Sequence, residues 1–421
     1  MNRRAGLPAA QRLGGVDVAR GVALLGMMAI HIIPAWTEEA GTSPVWTLFA
    51  GRSAALFALL AGVSLTFSSG GTRLLSGRAL AGARVSLAVR ALAICAIGLL
   101  VGYLNPPAAI ILAYYGAMFL LAVPFLGLGP RVLAFAALGF AVLGPVLMQD
   151  VRDGLGDLDG YDPTLTDLIT HPGDVAGVLL FSGSYPAVPW MAYICAGLAI
   201  GRLDLRSKAV HLRLVVGGVL LSVAGWLVSL LLMGPLGGRE RILAATPGLE
   251  AADLEDLLVY GPDFGLSTST NWWLAVMAPY SSTPLEIITT TGSAMAALGG
   301  LLFLSRTWGG ALTPLRVVGG MTLTLYTGHL VLLSTGLLLR HPWAALAVHV
   351  AAALLFAFIW RNATEGRPGP LERLVSLAAK RAGARIVPAG GTGPTGGAGR
   401  TSDPGPKSDT GQRSDAGARE D

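Results

Sequence analysis

Ten apolar stretches, each long enough to cross a bilayer, divide this chain between Val16 and Trp360. A hydrocarbon core about 30 Å thick needs about 20 mostly apolar residues per helix. The stretches are Val16 to Ala35, Leu48 to Phe67, Val85 to Leu104, Ala109 to Leu128, Val132 to Met148, Ala176 to Gly201, Leu214 to Met233, Leu285 to Leu304, Leu315 to Leu339 and Trp343 to Trp360. Lipid offers the backbone no hydrogen-bond partners, so a spanning segment must satisfy its own. The expected class is therefore all-α, a polytopic membrane protein built as a bundle of about ten transmembrane helices. Composition agrees, with only 13% of residues charged where a soluble domain carries about 25%.

The arginines set an orientation. Arg3, Arg4 and Arg12 precede the first stretch, and alternate loops carry Arg73, Arg78 and Arg84, then Arg131, then Arg202, Arg206, Lys208 and Arg213, then Arg306, then Arg361 and Arg367. The remaining loops are poor in Lys and Arg for their length, so the positive-inside rule puts both termini in the cytoplasm of a multi-pass inner or plasma membrane protein. The net charge of +5 then reflects inner-leaflet anchoring, and no nucleic acid partner is expected. The first stretch is too long for a typical signal-peptide core and lacks a small-residue cleavage pattern, so it is expected to stay in the mature chain. Only Lys208, Lys380 and Lys407 are lysines among 30 Lys plus Arg, a bias that fits a GC-rich bacterial genome.

Four regions follow: a cytoplasmic N-terminus over 1–15, a transmembrane domain over 16–360, a juxtamembrane amphipathic helix over 361–385 suited to an anionic leaflet, and a disordered cytoplasmic tail over 386–421. The tail is mostly Gly, Pro, Thr, Ser and Asp and cannot bury enough surface to fold. Two outer loops are too long to be simple connectors. Gln149 to Val175 is acidic, and Gly234 to Pro284 includes a short amphipathic segment and Trp272 and Trp273, which suit an interfacial belt or a roof over a pocket. Cys95 and Cys195 lie inside apolar stretches without a CxxC spacing and read as packing residues.

Ionisable groups inside the membrane are costly and mark functional positions by default. Asp17, Arg20 and His31 share a narrow sector of the first helix. Asp17 and Arg20 are three apart and can pair near one boundary, an arrangement equally suited to structure. His31 lies about 21 Å further along at about 1.5 Å per residue. Arg52 begins the second stretch at that same end, where it can also snorkel to headgroups. In the ninth stretch His329 lies about 20 Å beyond Arg316 by the same rise, with Tyr326 one turn before it. His31, Arg52 and His329 are therefore expected at one depth, lining one cavity as a catalytic group. Imidazole titrates near neutrality, so it can take a proton from an acceptor hydroxyl or amine and return one to a leaving thiolate. Arg52 or Tyr326 would stabilise the developing oxyanion. No Walker loop, HExxH spacing or nucleophile elbow is present, and no metal is expected.

The segments GGVDVARGVALLGMMAIH and GRSAALFALLAGVSLTF resemble the opening of bacterial proteins related to heparan-alpha-glucosaminide N-acetyltransferase and of YeiB-like membrane proteins, within the transmembrane acyltransferases. The similarity continues through PAVPWMAYICAGLAIGRLD, the APYSSTPLE segment that contains Tyr280 and Glu286, and GGMTLTLYTGHLVLL. The resemblance implies transfer of an acetyl or acyl group from cytosolic acetyl-CoA or another acyl-CoA, as donor substrate, to a sugar-like or envelope acceptor on the outer face. It assigns Asp17, Arg20 and Gly21 to an inner motif and His329 to a ninth-span motif. The sequence departs from the human-type enzyme, which carries a histidine in the loop between the first two spans, whereas residues 32–51 contain none. Tyr280 stands where bacterial relatives often have a histidine, and Tyr280, Glu286, Asp17, Arg20 and Tyr326 read as binding or structural polar residues. The expected partners are the lipid bilayer, acyl-CoA and the acceptor, with homo-oligomerisation left open. The competing class is a non-enzymatic transporter or exporter of a small polar or lipid-linked solute, which would also value buried His and Arg. Matched Gly/Pro-broken segments, the sequence hint of repeat transporters, are not apparent.

Overall fold

The computed structural model describes residues 14–38, 41–155, 162–263 and 265–386. All ten apolar stretches are helical. In chain order the helices are α1 (Gly14–Ile32), α2 (Pro44–Phe49), α3 (Arg52–Ser68), α4 (Gly77–Gly102), α5 (Ile111–Ala122), α6 (Pro130–Arg152), α7 (Leu165–Thr170), α8 (Pro172–Gly177), α9 (Ala187–Gly201) and α10 (Lys208–Met233). They continue with α11 (Gly238–Ala245), α12 (Ala251–Tyr260), α13 (Pro284–Thr307), α14 (Thr313–Gly319), α15 (Thr322–Ser334), α16 (Pro342–Ala363) and α17 (Pro370–Ile386). Between α1 and α2 sits the one strand pair among the described residues, β1 (Trp36–Thr37) antiparallel to β2 (Gly41–Thr42), with Trp36 opposite Thr42.

Among the described residues seven helical segments are long and apolar enough to cross a membrane, and nine are reached if each of two bent pairs counts as one span. The sixth stretch breaks by 53° between Ser182 and Ala187, and the ninth by 84° between α14 and α15. The fourth forms the shorter segment Ile111–Gly127. The breaks fall at Gly183 to Pro186 and at Gly319 to Met321, where Pro supplies no N–H donor and Gly tolerates any turn.

Burial sorts the helices into centre and rim. Of the apolar window of α1, 72% is buried inside the bundle, against 22% for α10 and for α16. Helices α6, α10 and α16 accordingly carry exposed Phe135, Leu143, Leu220, Trp226 and Leu355, the side chains expected to face lipid. In the absence of a hydrophobic drive between helices in lipid, close packing of small residues holds them together. Helices α1 and α14 touch backbone to backbone: a Cβ at Gly319 would fall 1.7 Å from the Asp17 carbonyl oxygen, and one at Gly21 would fall 2.2 Å from that of Leu315. Helices α3 and α9 use the same device through Gly62 and Gly197.

The long connection between α10 and α13 has its own small core of Met233, Ile242, Leu254, Trp273 and Val276. Trp273, expected at the membrane interface, is instead buried at the centre of this core, because the chain folds back as α11 and α12 around it. Trp272 lies under the Arg241 guanidinium, 4.7 Å from the ring centroid. Helix α17 packs on α4 through Val375 and Ala379. Its Glu372 accepts hydrogen bonds from the Thr324 N–H at 3.1 Å and hydroxyl at 2.5 Å, satisfying a first-turn N–H of α15 that the helix itself cannot. Residues 14–386 lie in one unit, Met1–Val387. The tail expected to be disordered falls, beyond Ile386, outside the described residues, as do residues 1–13 of the expected N-terminal region.

Candidate active site

Helix α1 ends, and α15 runs, so that His31 and His329 meet: His31 Nδ1 lies 3.1 Å from His329 Nε2, with the rings stacked at 17° and 5.3 Å between centroids. The two histidines expected at one depth are thus adjacent. A third imidazole extends it, for His329 Nδ1 is 2.8 Å from His349 Nδ1 on α16, the rings meeting edge to face. His329 and His349 are buried, while His31 is half-buried. His349 was not among the sequence candidates, although the signal was present: it is an ionisable residue inside the last apolar stretch, which the same cost argument marks out.

Each of the two N···N contacts needs one protonated and one bare nitrogen, so the three tautomers are coupled. If His31 donates to His329 and His329 to His349, then His31 Nε2 is left bare and basic. If the chain runs the other way, His31 Nε2 carries the proton. The inner end, His349 Nε2, is buried with no partner.

His31 also lines a cavity of about 820 Å³ together with Asp162, Tyr185, Tyr280, Ser282 and Tyr260, a size suited to a small-molecule ligand. Part of the α10–α13 connection forms one wall, as a roofing role for that loop requires. Two residues of this wall hold left-handed backbone without being glycine, Tyr280 at φ 60° and Ser282 at φ 54°. Such conformations persist only where neighbours enforce them. Here Trp190 Nε1 donates to Ser282 Oγ at 3.0 Å, and the Tyr280 ring packs edge-on against Tyr185. Burial pushes the Tyr280 phenol up to about 12, so it remains a donor throughout the physiological range. Asp162 accepts from the Ile110 N–H at 2.8 Å, yet burial outweighs that bond and holds its carboxyl up at about 6.

The other sequence candidates are placed as follows. Tyr326 lies 6.2 Å from His31 between ring centroids, and its hydroxyl sits between the Ile111 N–H and the Ala109 carbonyl, each at 3.4 Å. Glu286 is buried in the first turn of α13, beneath Gly51 and the Tyr280 loop, accepting from Tyr193 at 3.4 Å. Asp17 and Arg20 form an ion pair at 3.1 Å, and Arg20 also bonds Ser64; by helical rise Asp17 stands about 21 Å and Arg20 about 16 Å from His31. Arg52 does not join the histidines. It is exposed at the start of α3, donates to the Thr47 carbonyl and is not on the cavity wall. Residue count sets depth along a helix but not which way the side chain turns. Among the described residues no group of three or more His, Cys, Asp and Glu side chains is arranged to hold a metal; the imidazole nitrogens of the chain face one another.

Residues 12–216 match the family described as heparan-alpha-glucosaminide N-acetyltransferase, catalytic, bearing out the resemblance carried by the motifs of α1 and α3. The match includes His31, Asp17, Arg20 and Asp162; His329, His349 and the Tyr280 loop lie beyond it. No curated protein sequence matches the chain.

Proposed function

We propose, from the premise that residues 12–216 are those of a heparan-alpha-glucosaminide N-acetyltransferase-like protein, that the chain is a membrane acetyltransferase whose cavity takes a sugar-like or envelope acceptor and whose donor is acetyl-CoA or another acyl-CoA. The observation that carries this is the placement of His31, which lines the cavity and is tied through His329 to His349. In the tautomer series that leaves His31 Nε2 bare, that nitrogen takes the proton of the attacking hydroxyl or amine. The acceptor oxygen or nitrogen bonds to the acyl carbon, the carbon–sulfur bond breaks, and the imidazolium returns the proton to the thiolate. The neutral Tyr280 phenol, which lines the same cavity as His31, replaces Arg52 or Tyr326 as the expected donor to the oxyanion. Both termini face the cytoplasm, the domain spans 16–360, and α17 lies along the inner leaflet.

The test is transfer or slow hydrolysis of radiolabelled acetyl-CoA by purified protein in lipid nanodiscs. Activity lost on His31→Ala with the fold intact supports the assignment, and absence of any acyl-CoA turnover or binding overturns it. A transporter is the second reading, favoured by the two broken spans, since helices interrupted at membrane depth are tolerated where they line a cavity or a path. Solute flux into proteoliposomes without acyl-CoA consumption would select it.

A further inference from the structure

Helix α15 starts without a cap of its own. The 84° break behind α14 leaves Met321 at its head, and that side chain has no oxygen to offer the free N–H groups of the first turn. Helix α17 has the same deficit, for the residue ahead of Pro370 is Gly369. The two helices supply each other across 48 residues of sequence. Glu372, the third residue of α17, accepts the Thr324 N–H at 3.1 Å on Oε1 and the Thr324 hydroxyl at 2.5 Å on Oε2. That hydroxyl oxygen in turn accepts the Leu371 N–H at 3.2 Å. This is the reciprocity of a capping box, which ordinarily works within one helix, divided between two. The contact is closed: Gly369 is buried, and a Cβ there would fall 2.3 Å from Glu372 Oε2 and 2.7 Å from Thr324 Oγ1. Trp360 Nε1 donates to the Pro368 carbonyl at 3.0 Å, which ties the same turn to the end of α16.

Both α15 and α16 carry members of the histidine chain. His329 lies about 7.5 Å beyond Thr324 along α15 by helical rise, and His349 lies on α16. Helix α15 has only 13 residues, a length at which a helix depends on its neighbours to hold it. Among the described residues its other polar ties to neighbouring elements are the Tyr326 hydroxyl, at 3.4 Å from two backbone partners, and His329 itself. A hydrogen bond between two ring nitrogens tolerates little change in distance or angle, so a small slide or rotation of α15 parts His329 from His31. We propose that Glu372 is a positioning residue for the histidine chain: by capping α15 from α17 it fixes that helix at the height and rotation where His329 meets His31. Its effect on transfer rests on the acetyltransferase reading; its effect on the imidazoles does not.

The experiment compares full-length wild type in lipid nanodiscs with Glu372→Ala, which removes both acceptors, and with Glu372→Gln, which keeps one for the Thr324 N–H. Nitrogen-15 NMR of histidine-labelled protein reads which ring nitrogens carry protons and which are hydrogen-bonded, and His31→Ala and His329→Ala identify the signals. Glu372→Ala is expected to lose the signature of the His31–His329 contact and to lower kcat for acetyl transfer about tenfold or more, with KM for acetyl-CoA unchanged. Glu372→Gln should restore most of both. Thr324→Val, which deletes the hydroxyl and keeps the N–H, should show a weaker form of the same loss and serves where Glu372→Ala does not fold. Arg373→Gln, on the exposed side of the same turn, is the control and should alter neither readout. A folded Glu372→Ala or Thr324→Val protein that is less heat-stable yet keeps the wild-type imidazole spectrum has lost a structural cap alone, and that result overturns the proposal. If wild type transfers no acetyl group while the spectra change as expected, the acetyltransferase reading fails and the positioning role stands.

Discussion

Three imidazoles in a row share their protons, so no one of them can be altered alone. His31→Ala and His329→Ala are expected each to abolish most acetyl transfer, with the double variant no worse than either, as for groups that act as a unit. His349→Ala should leave His31 in the cavity wall but release the tautomer of His329, costing about 100-fold or more in kcat, as loss of an orienting partner does elsewhere; steady-state transfer assays check both. Asp162 has its own pH signature. Burial raises its folded pKa to about 6 from an ordinary 3.8, so the fold holds a proton that the unfolded chain releases, and this contribution to stability is lost as pH rises from about 4 through about 6. Asp162→Asn keeps an acceptor for the Ile110 N–H and should flatten that fall in thermal unfolding measured between about pH 4 and 7. At this scale, depth was legible in the sequence and direction was not. His31 and His329 were found because both lie in apolar runs at countable distances, whereas Arg52 has the same depth and turns to the surface.

The Asp-x-x-Arg-Gly motif divides its labour between ion pairing and backbone contact. Asp17 and Arg20 pair with each other, while Gly21 lets α1 lie on α14 without side chains between them. Gly21→Ala or Gly319→Ala would drive a methyl group into a carbonyl of the opposite helix, and a loss of about 1–3 kcal/mol or more is expected from overpacking of this kind. Thermal unfolding in detergent reads it, and Gly300→Ala, where a Cβ meets nothing within 4 Å, is the control. Hydropathy showed where each helix lies but not that the sixth and ninth would bend, since a window of about 19 residues averages over a Gly-Gly or Gly-x-x-Pro break. The bend in the ninth matters to the site, for it starts α15 afresh at Thr322 and so sets the turn on which His329 sits.

Across the whole molecule, Lys and Arg alternate between loop sets, and a cytoplasmic reporter fused after Trp360 should be active while a periplasmic one should not; the reverse result removes the proposed topology. The helical stretches and their order were open to the sequence because apolar length is a local property, whereas the described residues carry seven to nine candidate spans where ten were expected. Centre and rim were not, because which helix loses its lipid face depends on neighbours far away in the chain. Helix α1 illustrates the consequence. It precedes the other described helices and can meet α3, with Arg20 on Ser64, early, yet its partners α14, α15 and α16 are made near the end, so for most of synthesis His31 and the α14-facing residues of α1 must wait in a membrane that lacks the surfaces meant to cover them. A chain stopped before Thr313 would strand those groups permanently, and it is the quality-control proteases of the membrane, more than any loss of chemistry, that such a truncation should meet first.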